Sequence, residues 1–236
     1  MKRFYCFALV LLLSVGCPQT DIPLYYLAEP EGQAFESFGT ATRSPDGTKI
    51  VSAGSGRIVQ IVDAESWEVL HTFSGHTDWV RSAQFSPDSK RIITASDDKT
   101  IRILDVDSGR ELQRFAHTGE VIFAAFSPDE RQIVTGNKDG IVRLWDTAME
   151  RELQRFEGHT DRVHYITFPF DGKKIATCSG DGTVRIWDVE SGMELHKLEG
   201  LTSDYIAQFF PDGHGIIVVS NDGEDGFIWD FVEEME

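Results

Sequence analysis

The sequence predicts an all-β domain of five small antiparallel sheets, four strands each, set side by side around an axis. Three observations predict it. A segment ending in Asp recurs at Asp63, Asp105, Asp146, Asp188 and Asp230, spaced by 42, 41, 42 and 42 residues. A motif repeated at such a period marks a structural unit, whereas a catalytic motif is needed once. Between these marks the chain reads as runs of four to seven residues (VRSAQF, RIITAS, TIRILD, ELQRF), rich in β-branched and aromatic side chains and bounded by Pro, Asp, Gly and Ser. Beyond the N-terminal segment, no window shows the i, i+3, i+4, i+7 apolar stripe of a helix. One four-stranded sheet cannot hide both of its faces, so neighbours stacked radially supply the burial.

The elements follow in chain order. Lys2 and Arg3 precede an uncharged stretch from Phe4 to Gly16, and Cys17 follows. This has the length of a signal-peptide core and falls short of the roughly 20 apolar residues of a membrane span. Residues 1–17 are therefore set apart from the domain at 18–236. Leu13-Ser14-Val15-Gly16-Cys17 resembles a bacterial lipobox, although Ser14 stands where Leu is usual and Pro18 is an uncommon follower. The resemblance implies lipid at Cys17 and tethering to a membrane on its periplasmic or outer side; a secreted or periplasmic soluble product and an uncleaved anchor are the alternatives. Cys6 would leave with the signal peptide, so Cys178 stands alone and is expected as a small apolar strand residue with no disulfide.

Seventeen residues before four of the five terminal Asp residues lies a turn Asp, at Asp46, Asp88, Asp129 and Asp171; Asp212 falls eighteen before the last. Twenty-nine residues before the mark stand His76, His117 and His159, with Ala34 and Leu201 in the first and fifth units. The first unit departs furthest, with Gly56 for the loop Asp, Val62 for Trp and Arg43 where Phe85, Phe126 and Phe168 align, and is expected to be the loosest. After Asp230 only FVEEME remains, too short and polar for a fourth strand. Residues 22–28, IPLYYLA, are expected to supply it by pairing on the outside of the last sheet and latching the ring.

On the GH, SPDG and RIWD marks held at one register, residues 22–236 resemble the WD-repeat β-propeller family. The resemblance implies a propeller; seven blades is commonest in that family, but five repeats are visible here, so a closed five-bladed ring is expected, with an open arc that needs oligomerisation or a partner as the alternative. It also implies that each Trp-Asp closes a third strand and that a His, a hydroxyl, an Asp and a Trp are hydrogen-bonded within a blade. Carried over, the sets are His76, Thr94 and Asp98 with Leu104 in place of Trp; His117, Thr135, Asp139 and Trp145; and His159, Thr177, Asp181 and Trp187. Thr177 and Ser179 share a strand face, so either can be the hydroxyl.

The function classes narrow accordingly. With 39 acidic and 22 basic residues the net charge is −17, and no Lys or Arg run gathers a basic patch, which argues against nucleic acid. His and Asp residues that recur once per unit around a ring cannot converge on one substrate, and no His pair stands at metal-ligand spacing. Residues 221–226, NDGEDG, lack the ligand positions of a helix-loop-helix calcium site. No cofactor is expected. The reading is a non-enzymatic scaffold for a protein or peptide partner, read by variable rim residues Trp79, Arg81, Glu120, Ile122, Arg162, His164, Asp204 and Tyr205. The recurrent Arg102, Arg143 and Arg185 are framework. An enzyme with a channel active site and a static component of an envelope complex are the alternatives.

Overall fold

A computed structural model describes residues 38–54, 57–201, 204–220 and 225–231. Cys17, the expected latch at 22–28, Ala34 and Gly56 lie outside the described residues. Five antiparallel sheets follow one another along the chain, with no helix among the described residues. The first holds β1 (Phe38–Arg43), β2 (Lys49–Gly54), β3 (Val59–Asp63) and β4 (Val69–Phe73). The second holds β5 (Val80–Phe85), β6 (Arg91–Ser96), β7 (Thr100–Asp105) and β8 (Glu111–Ala116). The third holds β9 (Val121–Phe126), β10 (Gln132–Asn137), β11 (Val142–Asp146) and β12 (Arg151–Phe156). The fourth holds β13 (Val163–Thr167), β14 (Lys174–Ser179), β15 (Thr183–Asp188) and β16 (Glu194–Leu198). The fifth has three described strands, β17 (Tyr205–Phe209), β18 (Gly215–Ser220) and β19 (Gly226–Asp230). Each sheet is a meander of neighbouring strands. This architecture is that of a five-bladed propeller.

Local chemistry explains the meander. In the first hairpin of the second sheet, the Ser86 hydroxyl donates to Asp88 at 2.6 Å and accepts from the Arg91 amide at 2.9 Å. The Ser127–Asp129 and Ser44–Asp46 pairs repeat this closure. A short side chain that satisfies turn amides fixes the reversal before any long-range contact forms.

The core lies between sheets. Val51, Ala53, Val59 and Ile61 of the first meet Val80, Ala83, Phe85 and Ile92 of the second. Ile93, Ala95, Ile101, Ile103 and Phe115 of the second meet Val121, Ala124, Ile133 and Trp145 of the third. A further cluster runs from Val134, Leu144 and Phe156 through Ile166, Ile175 and Trp187 to Ala207, Phe209, Ile216 and Phe231. Each fully buried Ile or Phe contributes about 1.5–3 kcal/mol, and the second strands of the second, third and fourth sheets are buried on both faces from their second residue on, small polar residues included. Packing therefore runs sheet to sheet in chain order. Among the described residues, none of comparable extent joins the fifth sheet to the first. Arg43 strains no core: it is exposed and donates from Nε to the Gly47 carbonyl at 3.0 Å. Cys178 is buried, and burial pushes its thiol up, so it is a packing residue.

Two sets of β-bulges recur. In the innermost strands of the first four sheets the register slips around Gly39, Arg81, Ile122 and His164. In the outermost strands it slips around Leu70, Leu112, Leu153 and Leu195. The outer bulges twist the edge strands and blunt them against pairing with another chain.

Candidate functional site

The loops leading into β5, β9, β13 and β17 and the hairpins after β6, β10 and β14 gather at one end of the strands. There the inner bulges turn Arg81, Ile122 and His164 out of the ladder, as bulges re-aim side chains elsewhere. Trp79 is 48% exposed, with the Arg81 guanidinium 4.9 Å over its ring. Arg81 is itself held by Asp97, with Nε donating to Oδ1 at 2.8 Å and a second bond from Nη2 to Oδ2. Lys138 donates to Glu120 at 2.6 Å. Arg162 donates to Asp204 at 2.7 Å across the boundary between the fourth and fifth sheets. His164 spans the same boundary, with Nε2 donating to the Tyr205 carbonyl at 2.8 Å; burial lowers its pKa, so the ring stays neutral.

Of the eight rim residues expected from sequence, Trp79, Arg81 and Arg162 are exposed, while Glu120, Ile122, His164 and Asp204 are half-buried. The reading of Tyr205 as a rim side chain needs correction. Its side chain is buried in the core, and only its carbonyl reaches the rim. The alternation of β17 turns this position inward. Sequence reasoning missed Asp97 and Lys138, the ion-pair partners that hold Arg81 and Glu120. Each lies in the hairpin after a second strand, and each adds its amide to the lead-in loop, from Asp97 to the Trp79 carbonyl and from Lys138 to the Glu120 carbonyl.

Beneath the rim lie the His sets. In the fourth sheet His159 Nδ1 donates to Asp181 Oδ2 at 3.0 Å, and its Nε2 lies 2.7 Å from Thr177 Oγ1, which also accepts from Trp187 Nε1 at 2.9 Å. The hydroxyl of the set is thus Thr177, while Ser179 bonds the Asp161 carbonyl at 2.9 Å. The second sheet repeats this with His76, Asp98 and Thr94, and with buried Leu104 in the place of Trp. Burial alone would raise Asp98 and Asp181. Hydrogen bonds from Thr100, His76 and the Thr77 amide outweigh it at Asp98, as do those from Thr183, the Thr160 amide and His159 at Asp181, and both carboxyls sit at about 2. Burial lowers His76 and His159 and keeps the rings neutral.

Each of these sets extends through the framework arginine. Arg102 Nη1 donates to Glu111 at 2.8 Å and Arg185 Nη1 to Glu194 at 2.7 Å, so the set reaches the outermost strand. Sequence reasoning passed over these glutamates, although Glu111, Glu152 and Glu194 each stand six residues past a terminal Asp. The third set differs from the expectation. His117 reaches Thr135 at 3.1 Å and Trp145 donates to the same hydroxyl at 3.1 Å, but Asp139 does not bond His117.

Among the described residues no group of three or more His, Cys, Asp or Glu could hold a metal ion. A cleft of about 420 Å³, lined by Leu144, Leu153, Lys173, Asp188 and Val189, opens between the third and fourth sheets at the opposite end of the strands.

Residues 67–105, 109–146 and 150–188 match the family model of the WD domain, G-beta repeat, and these three matches support the WD-repeat family for this chain. Each matched repeat spans the outermost strand of one sheet and the first three strands of the next, so the repeat unit is offset from the sheet. No curated protein matches the chain.

Proposed function

We propose that this WD-repeat chain is a non-enzymatic scaffold whose rim, built on the strand ends around Trp79, Arg81, Glu120, Arg162 and Asp204, binds a protein or peptide, and that lipid at Cys17 tethers it to a membrane after export. WD repeats generally mediate protein–protein interaction. One observation carries the reading for this chain. The side chains that look reactive in sequence, His76 and His159 with Asp98 and Asp181, are buried and paired among themselves, whereas Trp79 and Arg81 stack on each other open to solvent at one end of the strands. Trp and Arg dominate interface energetics, and an exposed Trp held flat under a guanidinium loses little side-chain freedom on binding.

The test is crosslinking in intact cells followed by capture, comparing the native chain with the Trp79→Ala, Arg81→Ala double variant. A hot-spot pair of this kind contributes about 2 kcal/mol or more, so a captured partner should weaken by about thirtyfold or more. Identical partners at identical yield would discredit the rim. Cys17→Ser tests the tether separately: the product should leave the membrane fraction, and unchanged fractionation would reject the lipid.

A further inference from the structure

Beneath the rim, the second and fourth sheets share one set of locks and the third lacks it. In the second sheet the Thr77 amide donates to Asp98 at 3.0 Å, Thr100 Oγ1 donates to Asp98 at 2.6 Å, and Ser96 Oγ donates to the Asp78 carbonyl at 3.2 Å while accepting from the Asp98 amide at 3.1 Å. The fourth sheet matches bond for bond with Thr160, Thr183, Ser179, Asp161 and Asp181. In the third sheet the threonine position holds Ile141 and the serine position holds Asn137. Neither residue re-forms the locks. Asn137 is fully buried with both amide atoms unpartnered, and Arg143 Nη1 is unpartnered as well. The Asp139 side chain, released from His117, is 41% exposed, against 3% and 6% for Asp98 and Asp181. Arg143 Nε stands 3.5 Å from Glu152, where its counterparts bond glutamate at 2.8 and 2.7 Å.

The next joint is also weaker. The His117 amide donates to the Lys99 carbonyl at 2.8 Å and the Leu201 amide to the Gly182 carbonyl at 3.1 Å, but the corresponding bond from the His159 amide to Gly140 is absent. Orphaned buried polar groups cost about 1–3 kcal/mol each, and hydration on opening recovers that cost. The closed third rim is therefore the one with most to gain by opening.

We propose that residues 117–120 and 137–141 form a hinged segment of the rim that opens locally to hydrate Asn137 while the equivalent segments of the second and fourth sheets stay shut. Segments that engage ligands are drawn from the less stable parts of a fold. The inference rests on the scaffold reading only for its use: it gives an otherwise rigid rim one adaptable segment, carrying Glu120 and Lys138, that a protein partner can order.

Amide hydrogen exchange tests it without any partner, because one backbone bond recurs in all three sheets. The Lys138 amide donates to the Glu120 carbonyl at 3.0 Å, the Asp97 amide to Trp79 at 2.9 Å and the Gly180 amide to Arg162 at 2.9 Å. After correction for intrinsic rates, Lys138 should exchange at least about tenfold faster than Asp97 and Gly180. The double change Asn137→Ser, Ile141→Thr should bring it down to their rate. The reverse transplant, Ser179→Asn with Thr183→Ile, should speed Gly180, and it decides the matter if the first variant fails to fold. Exchange at Lys138 within about twofold of the other two amides, or a Gly180 rate unmoved by the transplant, overturns the hinge. Either result leaves the partner-capture test of the rim standing.

Discussion

Thr177 is where a small side chain carries the most. Its hydroxyl satisfies both His159 Nε2 and Trp187 Nε1 in a fully buried place. Thr177→Val keeps the shape and strands both groups, so urea unfolding should show a loss of about 2–4 kcal/mol. Thr183→Val leaves the ring and indole paired and should cost less. His117 makes a second test. Burial drives its pKa down from 6.5 to about 4. A base whose folded pKa is depressed is protonated first in the unfolded chain, so its contribution is complete above pH 6.5 and falls away as pH drops toward 4. An NMR titration should place the imidazole midpoint near 4; a midpoint near 6.5 would show that the ring is already solvated. The four marks of the third set were legible in sequence, yet its failure was not. Its His, Thr, Asp and Trp are all present, and the loss lies in the supporting hydroxyls at positions 137 and 141, which spacing does not weigh.

At the scale of the strand and turn, the period and the alternation were enough to place the strands, because each run is bounded by its own turn chemistry. VRSAQF, RIITAS and TIRILD are β5, β6 and β7 to the residue. The bulges were not legible. ELQRF reads as an unbroken strand, and the slip around Leu112 becomes visible only against Ile103 and Leu104 of the neighbouring strand. The hairpin tips were likewise silent about what they touch. Gly182 adopts a φ of +76°, and a Cβ there would lie 2.6 Å from the Leu201 carbonyl, whereas Gly200, at +84°, has nothing within 4 Å of the same atom. Gly200→Ala should therefore cost only the left-handed backbone penalty of about 1–2 kcal/mol. Gly182→Ala should cost measurably more, since it also pushes the hairpin off the loop leading into β17. Equal losses in thermal unfolding would mean that this tip is not seated.

For the whole molecule, acid should act in two stages. His76, His117 and His159 all have folded pKa values lowered by burial, so stability begins to fall below about pH 6.5. Asp98 and Asp181, held at about 2 against 3.8, contribute fully above 3.8 and lose that contribution as pH falls toward 2. The urea midpoint should be level above pH 7, lower at pH 5 and lower again at pH 3; a midpoint unchanged between pH 7 and 3 would mean that these groups titrate alike in both states. Light scattering on residues 18–236 should give the mass of one chain, and an obligate multimer would favour an arc that closes only against another copy.

The offset between the matched repeat and the sheet has a bearing on chain length. Glu111–Phe115 and Glu152–Phe156 are both ELQRF. Excising residues 111–151 would join Arg110 to Glu152 and leave the local text around the splice unchanged, with each remaining outer strand still meeting a third strand of its own kind. Such a protein would carry no scar at the junction, and only the angle through which its blades sweep would betray the loss.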